Sequence, residues 1–196
     1  MMKKTTGLLL LAATLLLWGC ESRLFKTIVT YKLDREYTFS VNGRKDLPET
    51  VITRAELLDA VSLPQDARVT KVTIENIAAK VSENAESQAS FINLEGYYST
   101  PGKSRQLFPQ FPIPLGSLVF TRINNTISNE ISSLSDVLSE VLRNENDTRS
   151  VALKLTTFSS SPLILDLKFQ LDMTIHYEVC REVPPLFGGA EETCEQ

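Results

Sequence analysis

The side chains best suited to acid–base chemistry fall in one stretch near the end of the chain. His176 is the sole histidine, and Asp166, Asp172 and Glu178 also occupy even-numbered positions there. Such residues could serve a Ser-His-Asp hydrolase, or a glycosidase whose two carboxylates lie about 5–10 Å apart. On a strand, however, residues six apart are separated by about 20 Å, which keeps the two aspartates from acting together. We interpret the stretch as a solvent-exposed face of mixed charge, and a hydrolase is the third of three hypotheses.

No other arrangement of residues matches a catalytic or cofactor-binding motif. The sequence contains no Gly-x-Ser-x-Gly elbow, phosphate-binding loop, dinucleotide fingerprint or calcium loop, and no cluster of metal ligands. The 20 basic and 24 acidic residues give a net charge of −4, whereas a nucleic-acid-binding protein needs a basic surface. The sequence therefore predicts a protein that is not an enzyme and that has no cofactor, metal or nucleic-acid partner.

The first twenty residues have the features of an export signal. Two lysines precede a leucine-rich apolar run over residues 7–18. The run is too short to cross a bilayer core as a helix, which takes about 20 residues, but it suits the apolar segment of a signal peptide. It ends in Leu17-Trp18-Gly19-Cys20, and this ending resembles the lipobox of bacterial lipoproteins. The alternatives are an uncleaved N-terminal anchor and a secretory signal with an incidental cysteine.

The lipobox resemblance implies a lipid-anchored protein of the bacterial envelope. In that family the signal peptide, here residues 1–19, is removed, and the new N-terminal cysteine, here Cys20, carries a diacylglycerol and a further acyl chain such as palmitate. Glu21 differs from the Asp that retains such proteins in the inner membrane. The resemblance therefore implies an outer-membrane lipoprotein facing the periplasm or the cell surface. Loss of Lys3 and Lys4 leaves 18 basic and 24 acidic residues, a net charge of −6, so the acyl chains alone should hold the protein on an anionic membrane.

The other two cysteines, Cys180 and Cys194, form an even pair. Disulfides persist in the oxidising envelope, so we predict a bond that ties a tail over residues 181–196 to the end of a strand. By the loop-entropy argument, a bond of this span stabilises the fold by about 3 kcal/mol. The alternative is a pair of unbonded thiols followed by a disordered tail.

Two long stretches alternate between apolar and polar residues, which is typical of strands with one face in the core. Over residues 25–41 the apolar side chains lie mainly at odd positions, and residues 34–36 leave a hairpin open as the alternative to one bent strand. Over residues 163–179 every odd position is apolar. At about 3.4 Å per residue this second strand would span about 55 Å. The two stretches predict an elongated sheet.

Three shorter strands are predicted over residues 69–82, 88–99 and 149–159. The first changes parity near Glu75 and Asn76, which indicates a β-bulge. A polar turn joins the first strand to the second, so we predict a hairpin there. The serine- and proline-containing residues 159–162 predict a second hairpin, between the third strand and the final one.

Two segments predict helices. Thr53 and Glu56 fit a capping box for a short helix that ends before Pro64. Apolar residues three and four apart over residues 118–143 predict an amphipathic helix of about 22–26 residues. Residues 108–114 contain three prolines, which exclude a central strand, and we interpret this segment as an extended apolar connector.

Together these elements predict an α+β fold, in which the long helix covers the apolar face of an elongated, mainly antiparallel sheet of about five strands. A β-sandwich with a peripheral helix is the alternative. The expected organisation is a signal peptide over residues 1–19, then a lipidated cysteine and short tether over residues 20–23. One domain over residues 24–180 follows, and the disulfide-tied tail over residues 181–196 ends the chain.

Two non-catalytic functions fit this description. The first is an envelope lipoprotein that binds another protein as an accessory or assembly factor. The second is a carrier of an apolar ligand or lipid between the helix and a curved sheet, an arrangement that resembles lipid-binding tubular folds. For the carrier, Phe108, Phe111, Ile113 and Leu115 would line the mouth of the pocket, and the alternative is that they pack onto the core.

Overall fold

The computed structural model describes residues 21–83, 89–123, 128–144, 148–183 and 194. The elements in chain order are β1 (Glu21–Asp46), β2 (Thr50–Thr53), α1 (Arg54–Val61), β3 (Arg68–Glu83), β4 (Phe91–Thr100), β5 (Lys103–Pro114), β6 (Thr121–Arg122), α2 (Ser128–Arg143) and β7 (Ser150–Val183). All seven strands belong to one sheet. Within these described ranges, no helix has the length and apolar character needed to span a bilayer.

β7 is the central strand, and its pairing organises the whole sheet. β1 and then β2 pair with one edge of β7, whereas β3 and then β4 pair with its other edge, all of them antiparallel. The odd positions of β7 from Leu163 to Ile175 are buried, and the even positions of β1 from Lys26 to Ser40 are exposed. Of the two alternatives for residues 25–41, the structure has one strand and not a hairpin. The prediction of one strand over residues 163–179 is confirmed.

Both predicted hairpins are wrong. β3 and β4 do not pair with each other but follow one another along the same edge of β7. Residues 159–162 form no turn, because β7 continues through them. Residues 160–162 have no partner in the register, but β7 pairs with β1 directly before them at Ser159 and directly after them at Leu163, and this holds the segment within the strand. The predicted bulge in β3 is confirmed, because the register against β7 shifts between Ile74 and Asn76.

The sheet curls into a half-barrel, which brings distant parts of β7 close together. Tyr37 lies opposite Leu167 of β7, and Thr50 lies opposite Leu153. A straight strand between those two positions of β7 would span about 46 Å, yet the hydroxyls of Tyr37 and Thr50 are 2.8 Å apart. The register of β1 shifts just before Gly43, which has a φ of +82°. The core lies inside the curl.

The proline-rich segment is an edge strand rather than a connector. β5 pairs with β4 and with no other strand among the described residues. The register between them shifts on both sides of Gly96. Proline has no N–H to donate, so it is tolerated on an edge strand or at a bulge. The prediction that this segment is no central strand is confirmed, while its interpretation as a connector is wrong.

The two helices have 8 and 16 residues. α1 begins as the capping box predicts, because the Thr53 hydroxyl accepts a hydrogen bond from the N–H of Glu56 at 3.1 Å. The helix predicted over residues 118–143 is wrong in its first part, since α2 begins only at Ser128 and β6 pairs with β3 upstream of it. Residues 124–127 of that prediction lie outside the described residues. The β-branched residues before α2 favour strand over helix.

The predicted α+β class is therefore wrong, because the residues that the structure describes are mostly β and include no long amphipathic helix. A β-sandwich does not describe it either, since the seven strands form one curled sheet. The prediction fails because apolar residues three and four positions apart occur in the loop before β6 and near β6 as well as in α2. The spacing therefore extends the helical pattern upstream of the helix by coincidence. The core combines buried apolar residues of the strands with the apolar side of α2, namely Leu134, Leu138, Val141 and Leu142.

α2 lies along the edge of β3 that faces away from β7. Three side chains spaced four residues apart bond to alternate backbone groups of β3: Ser135 accepts from the N–H of Ile74 (3.1 Å), Ser139 accepts from the N–H of Val72 (2.7 Å), and Arg143 donates to the carbonyl of Thr70 (2.6 Å). Four helical residues rise about 6 Å and two strand residues about 6.8 Å, so the two repeats match. The helix therefore closes this edge of the sheet.

Candidate functional site

The residues that suggest acid–base chemistry lie along the outer face of β7 and do not converge. Asp166 accepts a hydrogen bond from the Thr38 hydroxyl at 2.6 Å, and Asp172 accepts one from the Asn76 amide at 3.0 Å. Because β7 is continuous through both positions, the two aspartates stay about 20 Å apart. His176 and Glu178 follow further along the same strand. The structure therefore does not bring these side chains together into one site.

One buried carboxylate, Glu95, is missed by the sequence analysis. Its Oε1 accepts hydrogen bonds from the Tyr97 hydroxyl at 2.5 Å and from the Gln106 amide at 2.6 Å. The hydrogen bond to Glu95 is the main reason why the pKa of Tyr97 is raised. Two donors therefore hold this carboxylate in place on the outer face of β4. Across the ranges that the structure describes, no three His, Cys, Asp or Glu side chains lie close enough to hold a metal ion.

The predicted disulfide between Cys180 and Cys194 is confirmed, with the two Cα atoms 6.1 Å apart. It joins the last part of β7 to the end of the chain. The N–H of Cys194 then donates to the carbonyl of Ser22 at 3.5 Å. The disulfide and this hydrogen bond together hold Cys194 against the first residues of β1. Residues 184–193 and 195–196 of the predicted tail lie outside the described residues.

We expect the double variant Cys180→Ser/Cys194→Ser to lose about 2 kcal/mol of unfolding free energy. The loop-entropy argument gives about 3 kcal/mol for this spacing, and residual structure in the unbridged chain reduces that value. Urea denaturation of the variant and of oxidised wild type measures the difference. Wild type under reducing conditions is the control and should match the variant. A variant as stable as the oxidised protein would contradict the prediction.

The four residues proposed to line a pocket mouth lie in or against the core. Phe108 and Ile113 are fully buried, and Phe111 and Leu115 are half-buried against the same cluster. The ring of Phe108 lies directly over Gly96: a β-carbon on that glycine would come within 2.2 Å of the ring. The carrier hypothesis stays a prediction, and nothing about these four side chains favours it over core packing.

Two clefts open near the bend of the sheet, with volumes of about 250 and 500 Å³. Arg44 lines both, and its guanidinium lies over the Phe158 ring, 5.6 Å from the ring centroid. Neither lining includes a residue of α2. These clefts are therefore surface features and differ from the chamber between helix and sheet that a carrier would need.

Asp46 holds an ionic network beside these clefts. Its carboxylate lies 2.8 Å from the Lys154 ammonium and 3.6 Å from the Arg44 guanidinium, and it accepts a 2.8 Å hydrogen bond from the Thr156 hydroxyl. The hydrogen bonds from Lys154 and then Thr156 lower the pKa of Asp46. A carboxyl with a lower pKa in the folded chain stabilises the fold above its unfolded pKa, and this stabilisation is lost as the pH falls through the folded pKa.

We therefore expect the unfolding free energy to fall as the pH drops below about 4, and to fall less steeply in Asp46→Asn. Urea denaturation at a series of pH values between neutral and acid measures both slopes. The variant Glu49→Gln removes a carboxylate from the same cleft and should keep the wild-type slope. Identical slopes in wild type and Asp46→Asn would rule out this role for Asp46.

The outer edge of β1 offers a surface for recognition through the backbone. We call residues 27–40 the open edge. Within the described part of the chain, β1 pairs with β7 alone, and no other backbone group bonds to this stretch. It contains no proline and no shift of register. Among the described residues, its backbone groups on the side away from β7 therefore have no backbone partner, although the Asp34 carbonyl accepts a hydrogen bond from the Arg35 guanidinium at 3.0 Å. An incoming strand could bond to the remaining groups.

The side chains of the open edge form two rows. The exposed row includes two charges that are directed across to β7: the Lys32 ammonium lies 3.9 Å from Asp172, and Glu36 lies 2.6 Å from the Lys168 ammonium. These charges therefore do not obstruct the edge. The other row packs against the core. Its apolar members are the buried Leu33 and the half-buried Val29, Tyr31, Tyr37 and Phe39. The same row contains Arg35, whose guanidinium lies 2.8 Å from the Glu56 carboxylate of α1.

The other long edges that the structure describes are closed. Three prolines and two shifts of register interrupt β5, and strands with these features resist pairing. α2 and β6 cover the outer edge of β3. Since long unprotected edges tend to pair with other chains, the contrast marks the open edge as the candidate site.

Comparison with known proteins adds no relative: no protein family matches the sequence, and no curated protein matches it at a significant level.

Proposed function

We propose that this protein is a non-catalytic lipoprotein of the bacterial envelope, anchored through Cys20, which binds an extended segment of a partner protein along the open edge. The proposal rests on the edge of β1 that faces away from β7, which pairs with no described strand. Strand addition needs a sheet edge with accessible backbone groups. The lipobox-like ending at residues 17–20 supports the anchor. The protein would then hold its partner at the membrane surface.

The two rows of side chains indicate what kind of segment would bind. An added strand would cover the half-buried apolar row, and each Å² of apolar surface so removed from water contributes about 25 cal/mol. Its own residues should therefore alternate, with apolar side chains beside Val29 and Tyr31. On the opposite face, the side chains of the added strand would lie beside the exposed row of the open edge. A lysine or arginine is favoured at the position next to the Asp34 carboxylate.

The anchor is tested with Cys20→Ser. We expect wild type to be cleaved before Cys20 and to carry acyl chains, and we expect the variant to lack both modifications, because the lipid attaches to the cysteine sulfur. Intact-mass measurement of the purified protein checks the modification, and density-gradient flotation with envelope membranes checks the location. Wild type with an unmodified N-terminus would contradict the anchor.

The open edge is tested by photocrosslinking in cells. A photoreactive phenylalanine at Ile28, which is 60% exposed, should form a discrete adduct with one partner. The same probe at Phe91, which is also exposed but lies on β4, is the matched control and should not form it. Mass spectrometry of the adduct should locate the crosslink in an extended segment with alternating apolar residues. Equal labelling at both positions would contradict strand addition.

A charge directed toward the core side of an edge strand blocks pairing when it has no partner. The native charge in this row, Arg35, is paired with Glu56 of α1. We therefore expect Val29→Lys to weaken partner binding about tenfold or more, since an added strand would have to bury the ammonium. Thr30→Lys places the same charge in the exposed row and should bind like wild type. Thermal melts confirm that both variants fold. Undiminished binding by a folded Val29→Lys variant would remove the open edge from the proposal.

A further inference from the structure

A short loop between β5 and β6 exposes three consecutive apolar side chains. Leu118, Val119 and Phe120 are 90%, 71% and 38% exposed, and we call them the apolar loop. Single exposed apolar residues are ordinary on a protein surface, whereas a contiguous set with this exposure marks an interaction site. The position of these residues in a connecting loop also leaves their side chains without a role in the sheet.

The apolar loop is held in its exposed conformation by the residues around it. Gly116 adopts a φ of +69°, and its N–H donates to the carbonyl of Val81 at 3.2 Å. The Lys80 ammonium donates to the carbonyl of Leu118 at 3.1 Å. Ser117 bonds through its hydroxyl to both backbone groups of Val119. The fold therefore presents the three side chains to solvent rather than folding them onto the core.

Two cations lie next to the loop. The Lys80 ammonium bonds to its backbone, and the exposed Arg122 follows Phe120 after one intervening residue. Residues 115–123 contain no acidic side chain. Apolar side chains bracketed by lysine and arginine suit the boundary between lipid headgroups and acyl chains, where the apolar groups enter and the cations stay with the phosphates.

We infer that the apolar loop inserts into the headgroup region of the membrane that anchors the protein. This inference rests on the proposed lipid anchor. β1 begins at Glu21 opposite Val183, whereas β6 pairs with β3 at Ala79, which lies opposite Phe169 of β7. The two attachment points are therefore separated by the stretch of β7 from Phe169 to Val183, which would measure at most about 45 Å if it were straight. A second contact far from the lipid anchor would fix the orientation of the sheet relative to the membrane surface. With the lipid anchor alone, the domain would be free to reorient.

The test places one tryptophan at a time in the full-length chain. Trp18 is the only native tryptophan, and it is removed with the signal peptide over residues 1–19, so the processed wild-type protein has no tryptophan emission of its own. Val119→Trp and Leu118→Trp are the reporters, and Ile164→Trp, on an exposed β7 position, is the control. Each processed protein is reconstituted into phosphatidylethanolamine–phosphatidylglycerol vesicles with and without brominated acyl chains. Flotation of the vesicles is measured on the same samples.

We expect brominated lipid to reduce the tryptophan emission of both reporters about twofold or more and to leave the emission of the control nearly unchanged. The bromine atoms are on the acyl chains, so they quench only an indole that has entered the membrane. If the proteins float with the vesicles but the emission of the reporters is not reduced, the inference about the loop is wrong and the lipid anchor is still supported. Such a result would favour a protein partner for the loop. Proteins that neither float nor show quenching overturn both proposals. Equal quenching of reporters and control would show that the loop has no special contact with lipid.

Discussion

Gly96→Ala should destabilise the protein by about 3 kcal/mol or more, although it adds a single methyl group. The new β-carbon would lie 2.2 Å from Cε1, 2.7 Å from Cδ1 and 2.6 Å from Cζ of Phe108. Phe108 is fully buried and lies opposite Gly96 on β5, so its ring cannot move aside without displacing its neighbours. Either the ring leaves its rotamer or β4 and β5 separate locally. Urea denaturation of the purified variant measures the loss.

Two further variants separate the clash from an ordinary glycine effect. A β-carbon on Gly102 would meet no atom of the described residues within 4 Å beyond its chain neighbours, but this glycine has a φ of +81°, so Gly102→Ala should cost only about 1 kcal/mol. Phe108→Leu shortens the opposing side chain, and the double variant Gly96→Ala/Phe108→Leu should be more stable than the sum of the single effects predicts. Additive losses would show that the two residues do not meet as the structure has them.

Local patterns predict the long strands correctly, because alternation is a property of each strand alone. The odd positions of residues 163–179 point into the core whichever strands lie beside them. The disulfide could likewise be predicted from the number of cysteines and the expected compartment. A strand followed by Thr53 and Glu56 also specifies the start of α1, since the capping bond spans only three residues.

Elements whose conformation depends on distant neighbours could not be predicted in this way. Residues 159–162 have the composition of a turn, yet they stay extended because β7 pairs with β1 on both sides of them, more than a hundred residues away in sequence. The α+β assignment fails for the same reason. Residues 118–123 share the apolar spacing of a helix, but bonds from Lys80 and Ser117 hold Leu118 and Val119 in a loop. Thr121 and Arg122 pair with Ala79 and Ala78 of β3.

The open edge could be predicted as a strand but not as a site. Nothing in residues 27–40 distinguishes a strand with two neighbours from a strand with one. The contacts that settle this are long-range, such as the bond between Thr38 and Asp166 at a sequence separation of 128. Protection of the remaining edges is equally non-local, since the prolines of β5 and the serines of α2 acquire that role only once the sheet has formed.

The double variant Ser135→Ala/Ser139→Ala should lower the unfolding free energy by about 3 kcal/mol, because it reopens the edge that α2 closes. It leaves the backbone N–H groups of Ile74 and Val72 buried without acceptors, and each such group costs about 1–3 kcal/mol. Alanine returns about 0.5 kcal/mol of helix propensity per site, which offsets only part of the loss.

The matched control for this pair is Asp136→Ala, which raises helix propensity at an exposed position of the same helix without removing a bond to β3. It should be neutral or slightly stabilising in urea denaturation. Amide hydrogen exchange gives a second measurement: Val72 and Ile74 should exchange much faster in the serine variant, while buried amides of β7 follow only the global change in stability. Unchanged protection of both amides would show that α2 closes the edge by apolar packing of Leu134 and Leu138, and that the hydroxyls contribute nothing to it.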